Sequence, residues 1–183
     1  MSVMLNTAQQ NLVQAIETLD LETMRQLLSD GLDPNFIDHE KGPLISVWSD
    51  GLFQWWETVS EAYQDGQPLS DADKQALLAP HLEILEALIS AKVNLHLWDA
   101  EEIYGPLWDA ASAACVPAVQ RLLKESVDPN TRDDEDLTIL SSISHLFFDC
   151  DFDAVDWSEA LPEEKQTLEL LRASGAKMSK ELD

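Results

Sequence analysis

The sequence predicts an all-α fold, a helical-repeat solenoid of about four stacked helix–loop–helix units with two insertions. Three observations carry this. One apolar spacing recurs in four segments, a similar turn follows each, and a short second motif opens the next unit. A supersecondary unit that recurs in this way means stacked repeats.

The helices come first. Leu21, Met24, Leu27 and Leu28 fall at i, i+3, i+6 and i+7, and so do Leu82, Leu85, Leu88 and Ile89. Val116, Val119, Leu122 and Leu123 repeat the spacing, and Leu168, Leu170 and Leu171 form a shorter version. Such spacing gathers apolar side chains on one helix face. Pro80, Pro117 and Pro162 stand at or just before three of these helices. Proline suits a first turn, where its missing N–H is no loss. Asp20 stands at the N-cap position of the first of these helices. The pattern predicts helices near residues 8–19, 21–30, 81–91, 117–125 and 163–174, with shorter ones opening at Leu44, Leu107 and Ile139. Leu27, Leu85 and Leu122 are expected in the core.

The turns repeat as well. The helices are followed by SDGLDPNFID (29–38), SAKVNLHLWD (90–99), KESVDPNTRD (124–133) and ASGAKM (173–178). Gly31 and Gly175 sit where a helix end needs positive φ. Asp-Pro-Asn then supplies turn chemistry. Gly42-Pro43-Leu44, Gly105-Pro106-Leu107 and Thr138-Ile139-Leu140 each open the next unit.

These stretches resemble the ankyrin repeat, with its T-P-L-H-x-A-A and L-L-x-x-G-A-D-x-N signatures. Leu27 to Asn35 follows the second signature, and Leu122 to Asn130 follows it except at Ser126. Gly105-Pro106-Leu107-Trp108-Asp109-Ala110-Ala111 follows the first, with Gly for Thr and Trp for His. The resemblance covers nearly the whole chain as one domain, residues 1–183, once two insertions are allowed. Asp33, Asn94, Asp128 and Lys177 occupy one repeat position, at spacings of 61, 34 and 49 residues. Against a unit of about 33 residues, the second unit carries roughly 28 extra and the fourth roughly 16. The first excess lies near residues 49–79 and the second near 147–161, each between the two helices of its unit. Insertions in repeat proteins map to loops on one face, often the binding face.

No catalytic constellation emerges. His39, His81, His96 and His145 fall in no metalloprotease, hydrolase or nucleotide-binding motif. His96 stands where the repeat turn has Asn. Asp149, Asp151 and Asp153 begin like a calcium loop, but Ala154 and Ala160 stand where the glycine and the bidentate glutamate belong. The expectation is a binding protein without cofactor or metal, not an enzyme. A metal-dependent or hydrolytic enzyme built on the insertions is the alternative from another class.

Charge shapes the expected partner. Thirty-five acidic against 11 basic residues give a net −24. Such a field repels phosphates and anionic membrane surfaces and speeds encounter with a basic protein. Acidity also aids solubility, so a purely solubilising role stands beside the partner-driven one. Cys115 and Cys150 show no CxxC spacing and read as reduced thiols. The N-terminal stretch lacks the pattern of a signal peptide, and no apolar run approaches the roughly 18 residues of a membrane span. The chain therefore reads as a cytoplasmic protein, with a monomer favoured.

The expected contact residues combine aromatics with acids. Trp56 lies in the first insertion and Trp157 in the second, beside Asp151, Asp153 and Asp156. Asp133, Asp134, Glu135 and Asp136 form an acidic run at a hairpin tip. The ankyrin resemblance implies that Trp48 and Trp108 lie near the concave binding face, with gap-filling between units as the alternative. Aromatic anchors ringed by charge suit recognition of a basic surface. Small acidic cytoplasmic proteins of this sort are similar to bacterial toxin-immunity proteins, some of them ankyrin-like. The functional expectation is thus an acidic inhibitor or immunity protein that neutralises a basic toxin or nuclease, with a general ankyrin-type adaptor as the alternative.

Overall fold

A computed structural model describes residues 5–96, 105–133 and 135–182. Among them are eight α-helices and one two-stranded antiparallel sheet, so the architecture is all-α. The chain divides into two compact units, Met1–Gly105 and Pro106–Asp183.

In the first unit, α1 (Thr7–Glu17) and α2 (Leu21–Ser29) form one helical hairpin, and α3 (Leu44–Gln64) and α4 (Asp71–Ser90) form another. The two hairpins stack first helix on first and second on second, α1 against α3 and α2 against α4. Between them β1 (Ile37–Asp38) pairs with β2 (Gly42–Pro43). The second unit repeats the plan. Here α5 (Pro106–Ser112) pairs with α6 (Val116–Lys124), α7 (Ile139–Phe148) pairs with α8 (Pro162–Ala173), and α5 meets α7 while α6 meets α8.

Local chemistry explains the helix starts. Asn6 and Gln9 exchange side chain-to-backbone hydrogen bonds of 3.0 and 2.9 Å at the head of α1. Asp20 accepts the Thr23 N–H at 3.0 Å, as its N-cap position predicts. Ser70 accepts the Asp73 N–H at the head of α4, and Thr138 accepts that of Ser141 at the head of α7.

Four helix ends share one backbone geometry. Gly31, Lys92, Ser126 and Gly175 all adopt positive φ, at 88°, 63°, 63° and 93°. At each, the N–H of the positive-φ residue and that of the residue after it bond back into the last turn of the helix, for example Gly31 to the Leu28 carbonyl and Leu32 to the Leu27 carbonyl. Two residues later, Asp33, Asn94 and Asp128 each accept the backbone N–H two positions on, at 2.9, 2.9 and 2.8 Å. The spacing read from the sequence therefore marks one recurring backbone turn.

Three expectations change. The first insertion does not stand between the two helices of its unit but is part of them. Leu52, Trp55 and Val59 continue the apolar face of α3, and Ser70 starts α4 well before Leu82, so the added residues lengthen both helices. Pro80 opens no helix but lies inside α4. The residue four before it, Ala76, is exposed, so the carbonyl deprived of its helical donor lies on the outer side of α4. Leu27 is only half-buried, and Met24 supplies the buried side chain of α2. Leu85 and Leu122 lie in the core as expected.

Candidate protein-binding surfaces

The second insertion builds a small aromatic cluster. Residues 147–148 end α7, Asp149 caps it in the left-handed region at φ 52°, and a 3-10 turn follows at Phe152–Ala154. Phe148 meets Trp157 edge-on at 6.0 Å, and Phe152 meets Trp157 at 5.5 Å. Lys165 lies over the Trp157 ring and Arg172 over Phe152, at 5.8 and 5.9 Å. The rings thus pack on one another and under two cations, yet Phe147, Phe148, Phe152 and Trp157 all stay half-buried. Beside them Leu146 is 61% exposed. Leu146 follows Ile139 by seven residues, a spacing that normally buries a side chain, so periodicity alone hides this apolar patch.

The acids of this insertion differ in what they do. Asp151 accepts from Lys180 at 2.7 Å and lies 3.4 Å from the His145 imidazole. The Lys180 hydrogen bond holds its carboxyl below the ordinary range. Asp156 is also held low, by hydrogen bonds from the Ser158 hydroxyl and N–H. Asp153 and Asp156 are exposed and Asp151 is half-buried. Among the described residues, no three His, Cys, Asp or Glu side chains gather as metal ligands would.

The hairpin tip at 133–136 is a built turn rather than a bare strip of charge. Asp133 accepts the N–H groups of Glu135 and Leu137, at 3.0 and 2.7 Å, and its own N–H donates to the Leu137 carbonyl. Arg132 donates to the Asp136 carboxylate at 2.7 Å. Glu135 and Asp136 are exposed, Asp133 is half-buried, and Asp134 lies outside the described residues.

The four tryptophans separate into two groups. Trp48 is 1% exposed and donates its indole N–H to the His81 carbonyl at 2.8 Å. Trp108 is likewise buried. Both are fillers of their unit's core, because their places on α3 and α5 turn the rings onto the neighbouring helices rather than outward. Neither ring projects from the surface, and the alternative of gap-filling describes their packing. Trp56 and Trp157 remain half-buried and can meet a partner. Trp56 lies 6.1 Å from Trp55, which is itself buried and bonded to the Lys74 carbonyl at 3.3 Å.

No protein-family model matches the chain, and a search of curated proteins gives no match. Among the described residues, no helix is long and apolar enough to cross a membrane.

Proposed function

We propose that this protein is a protein-binding module, an ankyrin-like repeat stack, whose acidic surface captures a basic protein, in the manner of an inhibitor or immunity protein that neutralises a basic toxin or nuclease. The observation that carries the reading is uncompensated carboxylate. Among the described residues, eight basic side chains of the chain's 11 already sit in ion pairs: Arg25–Glu83, Lys41–Glu17, Lys74–Asp71, Arg121–Glu125, Arg132–Asp136, Lys165–Glu169, Arg172–Glu181 and Lys180–Asp151. Against 35 acids, these cations neutralise a minority of the negative field. A field of that sign draws in a basic partner and repels nucleic acid.

The repeat reading is supported by the shared turn at Gly31, Lys92, Ser126 and Gly175 and by the common stacking plan within each unit. Repeat stacks are recognition scaffolds in the main. A reducing compartment such as the cytoplasm suits the two unpaired cysteines.

The test is surface plasmon resonance on the partner captured from the native cell. Charges about 10 Å apart lose most of their attraction at 0.1 M ionic strength, so the on-rate should fall steeply as salt rises. Neutralising Glu135 with Asp136, and separately Asp153 with Asp156, should slow association, since rim charges act mainly on encounter. A salt-independent on-rate with both sets binding like wild type returns the protein to a general ankyrin-type adaptor whose charge only solubilises it.

A further inference from the structure

The first unit holds a cavity of about 220 Å³ lined on its floor by Ile16, Val47, Trp48 and Ile84 and on its rim by Asp50 and Gln54. The His81 imidazole faces it. His81 is 9% exposed, and its ring has no hydrogen-bond partner among the described residues. The ring nitrogens are not among the fully buried unpartnered atoms, so they keep access to solvent. Gly51 also lines the cavity, and a Cβ there would come within 2.8 Å of the His81 ring. The glycine therefore keeps the imidazole uncovered.

We propose that this cavity accepts one lysine or arginine side chain of the protein partner. The inference rests on the protein-binding reading above. An apolar floor with an acidic, amide-bearing rim matches the two halves of such a side chain, an alkyl stem and a cationic head. The stem would lie along Ile16, Val47, Trp48 and Ile84. The head would reach the Gln54 carbonyl oxygen and share the Asp50 carboxylate, which already makes an interaction of its own, with the His81 ring nitrogen as a further acceptor. Glu17 also lines the rim, and it shares its carboxylate with Lys41. Burial lowers the proton affinity of His81, which favours the neutral ring with its acceptor lone pair over a repelling charge. Trp48 takes part here as a wall of the recess.

The inference is tested on the intact protein with N-acetyl-arginine methylamide, N-acetyl-lysine methylamide, agmatine and the neutral N-acetyl-norleucine methylamide. The readout is the His81 ring resonances in carbon–proton correlation spectra. The expected result is a saturable shift with either capped cationic residue and none with norleucine. Asp50→Asn should weaken that binding about tenfold, the size of one charge-assisted hydrogen bond. Gly51→Ala should abolish it by closing the recess, and the exposed Asp50→Asn variant keeps the test valid if Gly51→Ala fails to fold. Unmoved His81 resonances, or an equal shift with norleucine, overturn the proposal. A shift with agmatine alone also overturns it, because the recess would then take a free guanidine and not a side chain on a peptide. The partner's salt-dependent capture is measured separately, so loss of this recess leaves that reading standing, and the reverse holds too.

Discussion

Asn35 is bound to the turn at Lys92: its side-chain amide donates to the Lys92 carbonyl at 3.2 Å, while its oxygen accepts the Asn94 N–H at 2.6 Å. Asn130 treats Gly175 and Lys177 in the same way, at 3.1 and 2.9 Å. One amide thus ties each turn to the next within its unit, and it satisfies two backbone groups of the turn that follows the helix. Each bond contributes about 0.5–1.5 kcal/mol. Asn35→Ala and Asn130→Ala should each lower stability by about 1–2 kcal/mol. Denaturant titration checks the size, and faster amide exchange at Asn94 or Lys177 checks the cause.

Lys92 and Ser126 pay a conformational cost that Gly31 and Gly175 avoid. A residue with a Cβ in the left-handed region is disfavoured by roughly 1–2 kcal/mol. Lys92→Gly and Ser126→Gly should each raise stability, by about 0.5–1 kcal/mol after the added freedom of the unfolded glycine is subtracted. A fall in the denaturation midpoint in both variants would refute this account of the turns.

Leu122 is fully buried on α6, whereas Leu27 is half-buried on α2. Leu122→Ala should cost about 2–5 kcal/mol, the range for a core leucine. Leu27→Ala should cost clearly less, since less apolar surface leaves water there. Equal losses in the two variants would contradict the burial of α6.

The Arg172 guanidinium, helped by the Met178 N–H, holds the Glu181 carboxyl down at about 2. Its folded pKa lies below the ordinary 4.5, so the stabilisation is present above pH 4.5 and is lost as pH falls towards 2. Glu181→Gln should therefore lower stability at neutral pH and narrow its gap to wild type as pH falls through that window. Urea midpoints across the window decide the matter. A gap that widens with acid would mean that the ion pair contributes nothing.

Leu146→Asp probes the aromatic patch of the second insertion. The side chain is already in solvent, so the fold should tolerate the change within about 0.5 kcal/mol. Partner dissociation should speed up, because buried apolar contacts act on residence. Unaltered binding kinetics would remove this patch from the interface.

Much of this architecture is legible in the chain. The apolar spacing marks every second helix, Asp20 marks a cap, and the residues at 33, 94, 128 and 177 mark the turn register, because helix faces and left-handed ends each demand particular residue types locally. Other features depend on neighbours distant in sequence. Pro80 reads as a helix start, yet the helix already begins at Asp71. The run 133–136 reads as spare charge, yet the Asp133 carboxylate is spent on closing its own turn. Trp48 reads as a surface anchor by resemblance, and only its hydrogen bond to His81, 33 residues on, shows it walled into the core. The recess beside it joins residues of α1, α3 and α4, so no single window of sequence could announce it.

The segment Lys177–Ser179 closes a hydroxyl network on α7. Thr138 Oγ1 donates to the Lys177 carbonyl at 2.6 Å, the Thr138 N–H donates to Ser179 Oγ at 2.9 Å, and the Ser179 N–H donates to Ser141 Oγ at 2.8 Å. During synthesis, the head of α7 emerges from the ribosome some forty residues before these partners do, a separation of 39 for the first bond and 41 for the second. At about 5–20 residues per second, its buried hydroxyls wait seconds for their acceptors. The first unit has waits of the same kind, 57 residues from Asn35 to Lys92 and 33 from the Trp48 indole to the His81 carbonyl. Each unit thus gives a nascent-chain chaperone time to act, and a pause in translation between Ser141 and Lys177 would lengthen that exposure in the second.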